Sequence, residues 1–268
     1  MSENLISKGN DSVIYAKEGS VGLITLNRPD RYNSVNHDLV VGLTEAFNRI
    51  KQDRSVRSVV ITGAGRGFCG GADMGGFGKG TAPSEAEDYI VQFYGTITRM
   101  VMALPIPVIA AINGSVAGVG IAFALACDLR VMGESSSIRY AFINIGLGPD
   151  GGAGWFLARA VGYSRAFEIA VEGEKIKANR CLELGLANKV VRDDEILTAA
   201  MQWAHTLAER PTFGVGITKQ ALNHAMTHTL AETTALEANN QKRALGSKDF
   251  VEGVSAFVEK RKPVFVGE

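Results

Sequence analysis

The chain has 268 residues, 46% of them hydrophobic and 21% charged, and its 28 basic and 28 acidic side chains cancel to a formal net charge of zero. That length and apolar share exclude a disordered chain and allow one large core, or a core with an appendage. The charge balance lacks the basic excess that a nucleic-acid binder needs to neutralise phosphates, so no nucleic-acid partner is expected. The longest apolar stretches, around residues 101–112 and 121–127, are short and broken by Pro or Gly, so no membrane association is expected either. The opening MSENLISKGND has no basic-then-apolar leader pattern. Three scattered cysteines, Cys69, Cys127 and Cys181, suit neither a disulfide framework nor a thiolate metal site, and a reducing, cytoplasmic compartment is expected.

Along the chain, Val21–Leu26 reads as a strand closed by the turn residues Asn27, Arg28, Pro29 and Asp30. A helix follows Asn36, with Leu39, Leu43, Phe47 and Ile50 at helical spacing. Residues 58–62 form a short buried strand ending at Gly63, and strand, helix and strand in that order point to an α/β layer. Residues 75–83 have few apolar anchors and are expected to be mobile, a linker or a lid. A helix over 84–102 places Ile90, Phe93, Ile97 and Val101 on one side and ends before Pro105 and Pro107. Val108–Ile112 is a strand; the helix starting near Ile121 is apolar on all sides and therefore central; residues 129–132 are a further strand. After Asp193 the pattern changes to helices alone, at about 194–208, 212–226, 230–245 and 250–259.

The 31 glycines gather in two regions, 63–80 and 114–154, where close backbone approach and unusual dihedrals are needed. His37, His205, His224 and His228 have no ligand spacing, so no metal is expected. Gly118-Val119-Gly120 follows a strand but lacks the acidic partner of a dinucleotide site, and no G-x-S-x-G elbow occurs.

Two Gly-rich segments, GRGFCGGADM at 65–74 and NGSVAGVG at 113–120, together resemble the double signature of the crotonase family, the enoyl-CoA hydratases and isomerases. The resemblance continues in order through ACDLR (126–130), GLGPDGG (146–152), AVG (160–162) and SAFVEKR (255–261), almost the whole chain. It implies an α/β fold, a spiral of ββα units over residues 1–192, with a helical C-terminal region over 193–268 used for trimerisation, the trimers often pairing into hexamers. It implies an acyl-CoA thioester as substrate, with coenzyme A part of that substrate and no separate cofactor. Two backbone N–H groups, by position those of Ala72 and Val119, would grip the thioester oxygen. Fixed donors at a helix start stabilise an enolate where its charge develops. Arg28, Ala72, Asp73, Met74, Phe257 and Lys260 match positions that contact the CoA moiety, with the run Lys260-Arg261-Lys262 a local source of positive charge.

The chemistry then divides the family. Hydratases hold water between two glutamates; the matching positions here are Ala122 and Phe142. One acid remains nearby, Asp150, and that pattern resembles the isomerase branch, most nearly the ring-epoxide isomerases of phenylacetate degradation, which also move a double bond from 3-enoyl-CoA to 2-enoyl-CoA. Segments PTFG (211–214), KQA (219–221) and EGVSAF (252–257) add to that similarity. A single carboxylate suffices to take a proton from the carbon next to the thioester and return it two carbons further on. Apolar neighbours Phe142, Ile145, Leu147 and Trp155 would raise its pKa, whereas the following helix start would lower it. The blander reading of Asp150 is a helix N-cap. Asn144 and Glu134 are accessory candidates, and Asp73 and Asp128 suit turn bracing through backbone N–H groups. Alternatives at this level are a hydratase-like enzyme with non-standard residues, a non-catalytic CoA-ester-binding homologue, and, less well matched, an aryl-CoA dehalogenase, whose histidine position is Gly95 here.

Overall fold

The computed structural model describes residues 11–75 and 83–268; the expected lid over 75–83 therefore falls, at residues 76–82, outside the described residues. Strands β1 (Val13–Glu18) and β2 (Val21–Leu26) form an antiparallel hairpin turned at Gly19, whose φ of +57° suits a residue without a side chain. Next come α1 (His37–Gln52), β3 (Ser58–Gly63), β4 (Gly67–Cys69), α2 (Pro83–Tyr89), a π-helical turn (Ile90–Tyr94) and α3 (Gly95–Ala103). The middle of the chain forms β5 (Val108–Ile112), β6 (Ser115–Ala117), α4 (Val119–Ala126), β7 (Leu129–Gly133), β8 (Ser137–Arg139), α5 (Ala153–Val161) and α6 (Tyr163–Glu172). The remainder is β9 (Lys175–Lys177), α7 (Ala178–Glu183), β10 (Lys189–Val191), α8 (Ile196–Ala208), α9 (Thr212–Ala225), α10 (Leu230–Ala244) and α11 (Lys248–Glu259).

Three successive pairs, β3 with β4, β5 with β6 and β7 with β8, repeat one plan. The first strand of each pair joins a six-stranded sheet, ordered β1-β2-β3-β5-β7-β10, and the second joins a four-stranded sheet, ordered β4-β6-β8-β9. Pairing is parallel except at β1/β2 and β8/β9. The corners between the sheets are tight: a Cβ at Gly63 would lie 2.3 Å from the Gly67 carbonyl oxygen, and one at Gly114 would lie 2.2 Å from that of Arg66. Asn113 ties the two corners together, its amide donating to the carbonyls of Gly63 and Gly65 at 2.7 and 3.0 Å.

Strand alternation divides the core. Val59 and Ile61 of β3, with Val108, Ala110 and Ile112 of β5, face the main cluster, where α1 contributes Leu39, Leu43, Phe47 and Ile50 as its spacing predicts. Val60, Ile109 and Ala111 face the other way and are covered by Ile196, Ala200, Met201 and Ala204 of α8. All of α4 is buried, as expected of a helix with no polar face, although it begins at Val119, two residues before the predicted start. The predicted helix over 84–102 is interrupted by the π-helical turn, so the buried positions become Tyr94, Ile97, Thr98 and Val101.

Lys219 fixes α9 to the core. Its Nζ donates to Asp128 Oδ2 at 2.8 Å and to the Val101 carbonyl at 2.9 Å, and the same carboxylate accepts from the Val108 N–H at 2.8 Å. The lysine side chain is 9% exposed and the aspartate 28%. Asp128 thus braces a strand start, as read from the sequence, and is also half of an ion pair. Lys219→Met strands that carboxylate and removes a donor from a buried carbonyl; thermal unfolding should show a loss of about 3 kcal/mol, a fall in Tm of roughly 10 °C.

Candidate active site

The two Gly-rich turns meet backbone to backbone. Gly71 has φ +98° and Gly118 φ +51°; a Cβ on Gly71 would come within 3.0 Å of the Ala117 carbonyl oxygen and 3.4 Å of Gly118 Cα. The residues that follow are Ala72 and Val119. Ala72 forms a parallel bridge with Val35, in which Val35 donates to the Gly71 carbonyl at 2.7 Å and accepts from the Asp73 N–H at 2.9 Å. In such a bridge the opposed residue turns its own N–H away, so the Ala72 amide faces away from Val35. Val119 is the first residue of α4, where helical geometry leaves the N–H without an intrahelical acceptor. Neither amide has an acceptor among the described residues.

Asp150 stands beside this pair. Gly151, φ +57°, packs so closely that a Cβ there would lie 2.7 Å from Val119 Cγ2, 3.2 Å from Tyr94 Cβ and 3.6 Å from Ala122 Cβ. The Asp150 Oδ1 is buried with no hydrogen-bond partner. Burial pushes the carboxyl up to about 6, opposed only in part by a backbone N–H. The N-cap reading does not hold, because the cap of α5 is Gly152 and no side chain caps that helix. Of the apolar neighbours expected from the sequence, Ile145 and Leu147 are exposed, and Tyr94, Val119 and Ala122 pack around the adjacent Gly151.

Ala122 and Phe142, the positions that the resemblance matches to the hydratase glutamates, are both hydrocarbon. Ala122 is fully buried against Gly151. Phe142 is 6% exposed, rests against Tyr140 with centroids 5.8 Å apart, and has Cε1 4.0 Å from a Cβ position on Gly118.

A cavity of about 680 Å³ meets these groups at Tyr94 and has Arg28, Asp73 and Tyr89 in its wall; Asp150, Ala72 and Val119 do not line it. Arg28 and Asp73 pair at 2.6 Å, and Arg28 also donates to the Ser34 carbonyl; the guanidinium lowers the Asp73 carboxyl from its ordinary value. Asp73 further accepts from the Gly75 N–H at 3.0 Å, the turn bracing read from the sequence. Met74 is exposed at the edge of the undescribed segment. Phe257 and Lys260, at the end of α11, are exposed and do not line this cavity. In the basic run after Phe257, Arg261 is held by Glu252 and Glu259 and Lys262 by Glu209. Asn144 is exposed and donates to the Gly173 carbonyl at 3.2 Å, and the Glu134 N–H donates to Val191 in β10.

A larger cavity, about 1110 Å³, lies between the ends of α1, α3 and α9 and contains none of the candidate residues. Volume alone would select it; the smaller one holds the Arg28–Asp73 pair and touches the site through Tyr94, whose Cβ abuts Gly151 next to Asp150. Among the described residues no group of three or more His, Cys, Asp or Glu could hold a metal ion, and no helix is long and apolar enough to cross a membrane.

With this geometry in hand, the chain belongs to the enoyl-CoA hydratase/isomerase family, the crotonases, and is an enzyme of that family: the family model matches residues 16–268. Among its relatives, the 1,2-epoxyphenylacetyl-CoA isomerase of Escherichia coli K12 is 40% identical over 94% of this chain and 97% of its own. A probable enoyl-CoA hydratase of Rhodobacter capsulatus is 36% identical over 96% and 98%. The solved structure of an enoyl-CoA hydratase from Bacillus anthracis superposes with a TM-score of 0.91 at 31% identity, covering 96% of this chain and all of that one. A Geobacillus kaustophilus enoyl-CoA hydratase subunit gives 0.90 at 32%, covering 96% and 98%. The resemblance read from the Gly-rich motifs, the crotonase fold and the likeness to the ring-epoxide isomerase branch are borne out.

Proposed function

We propose that the protein is an acyl-CoA isomerase that moves a double bond from the 3- to the 2-position, or rearranges a ring-epoxide acyl-CoA, with Asp150 as its acid–base group. The observation that carries this reading is the desolvated Asp150 carboxyl, its buried Oδ1 without a hydrogen-bond partner, next to the Gly151–Val119 contact, with Ala122 and Phe142 where water-holding glutamates would stand. In the double-bond shift, the carboxylate takes a proton from C2 of a 3-enoyl-CoA. The C–H electrons move into a dienolate whose charge rests on the thioester oxygen, and the N–H groups of Ala72 and Val119 hold it there. The same carboxyl returns the proton at C4, the double bond now lying between C2 and C3. No atom is gained or lost, and no water is required. The likeness to the E. coli 1,2-epoxyphenylacetyl-CoA isomerase supports the ring-epoxide alternative for the substrate.

The base must be ionised in the free enzyme. With the carboxyl raised to about 6, kcat/KM for a 3-enoyl-CoA should be level above pH 7 and fall about tenfold per unit below pH 6. A profile level down to pH 4 would remove Asp150 from this role. We also infer that the helices after residue 193 support self-association into a homotrimer or a dimer of trimers, with Phe257 and Lys260 reaching CoA across the assembly. Exposed apolar side chains on α11, among them Val251, Val254, Phe257 and Val258, support this. Sedimentation should give a particle of three or six chains, and a monomer would exclude it.

A further inference from the structure

The helix that the sequence presents as continuous over 84–102 is broken by the π-helical turn at Ile90–Tyr94, an irregularity that carries a local cost and is common at functional sites. Its effect is to seat Tyr94 in the core, 1% exposed, while Phe93 stays half-buried. Tyr94 lies between two features of the site: its Cβ abuts Gly151, the neighbour of Asp150, and its side chain forms part of the cavity wall near Arg28 and Asp73.

The Tyr94 hydroxyl has no hydrogen-bond partner among the described residues and is not sealed from the cavity, in contrast to Tyr140, the other large buried tyrosine, whose hydroxyl donates to the Ala153 carbonyl. Neighbouring polar groups in the wall are satisfied within the protein, Arg28 by Asp73 and Ser34 and Asp73 by Arg28 and Gly75. Tyr89 and Tyr94 are the phenol rings of a wall that is otherwise largely polar, with Arg28, Arg31, Asn36, His37, Asp73 and Glu85. Tyr89 meets Tyr94 edge to face, 5.2 Å between centroids at 88°, and Phe93 lies 4.6 Å from Tyr89. This tyrosine pair offers a surface for a ring, and an unpartnered phenol suits an acceptor atom on that ring.

Resting on the isomerase reading above, we propose that Tyr94 is a specificity residue whose hydroxyl donates a hydrogen bond to an oxygen atom borne on the ring of an aryl or cyclic acyl group. A linear hydrocarbon acyl chain leaves the hydroxyl without a partner, so the site discriminates by oxygen content as well as by shape. Burial and the nearby charges of Asp150 and Asp73 push the phenol far above its ordinary range, so it remains a donor at every working pH.

The test uses two stable esters, 2-hydroxyphenylacetyl-CoA and phenylacetyl-CoA, with affinities measured by calorimetry on the wild type and on Tyr94→Phe. The wild type should bind the oxygenated ester about tenfold more tightly. Tyr94→Phe should abolish that preference while binding phenylacetyl-CoA as the wild type does, and its Tm should stay within a few degrees. Equal affinities in the wild type, or a preference that survives Tyr94→Phe, would overturn the proposal. Loss of affinity for both esters together would also overturn it, since that marks a packing role. Because binding is measured without turnover, failure of the isomerase reading is seen separately, as no conversion of 3-hexenoyl-CoA by the wild type.

Discussion

Replacing Asp150 with Asn should lower kcat/KM for a 3-enoyl-CoA by about 10²–10⁴-fold, the span over which a positioned acid–base group contributes, and should leave affinity for the CoA ester nearly intact. The amide keeps the shape of the carboxyl but cannot accept the C2 proton. The same substitution should stabilise the protein at pH 7. The folded carboxyl titrates at about 6 and an unfolded one near 3.9, so between those values the folded state binds more protons. Stability therefore falls as pH rises through that window, and above pH 6 the buried ion carries a full penalty of at most about 3 kcal/mol. Asn removes that penalty. Melting curves should place Asp150→Asn above the wild type at pH 7.5, with the gap closing near pH 4. Equal melting temperatures at both pH values would mean that the carboxylate is not desolvated in solution.

The second large effect belongs to Gly71. Its φ of +98° is strained for any residue with a side chain, and a Cβ would press on the Ala117 carbonyl at 3.0 Å. Gly71→Ala must therefore rotate or displace the peptide that carries the Ala72 N–H. Losing one such donor costs about 10²–10³-fold in kcat, with a smaller effect on KM because the donor matters most when the enolate charge is formed. Gly185→Ala is the matched control: φ is also positive, +74°, but nothing lies within 4 Å of the added carbon. That variant should lose some stability and keep its turnover. Similar kinetic losses in both variants would assign the Gly71 effect to general destabilisation.

Much of this arrangement was legible in the chain. The all-apolar run in α4, the helical spacing of Leu39, Leu43, Phe47 and Ile50, and the strands at Val21–Leu26 and Val108–Ile112 are local patterns, and they fold as read. Asp150, Ala72 and Val119 are marked in the sequence only by motif resemblance; in the fold Gly71 packs on Ala117 and Gly118, and Gly151 on Val119. Strands β4, β6, β8, β9 and β10 are three residues each, too short to express an alternation. Arg28 with Asp73, and Lys219 with Asp128, are 45 and 91 residues apart, and pairing at such distances leaves no local trace. Tyr94 is masked in the sequence because Ile90, Phe93, Ile97 and Val101 make an acceptable helical stripe. The competing set of Tyr94, Ile97, Thr98 and Val101 was present in the same residues, and a tyrosine leading an otherwise small or aliphatic stripe was the available signal. The direction of the Asp150 shift is not legible either, since apolar neighbours and a following helix start pull it opposite ways and only the folded burial decides between them.

The central claim, one carboxylate moving one proton between two carbons without water, is tested most directly by incubating the purified protein with a 3-enoyl-CoA and, separately, a 2-enoyl-CoA in deuterated water, followed by chromatography and mass spectrometry. A positional isomer carrying deuterium is expected, with no species heavier by one water. A water adduct from the 2-enoyl ester, with no isomer from either, would contradict it and would require a hydrating group that replaces the glutamates absent at Ala122 and Phe142.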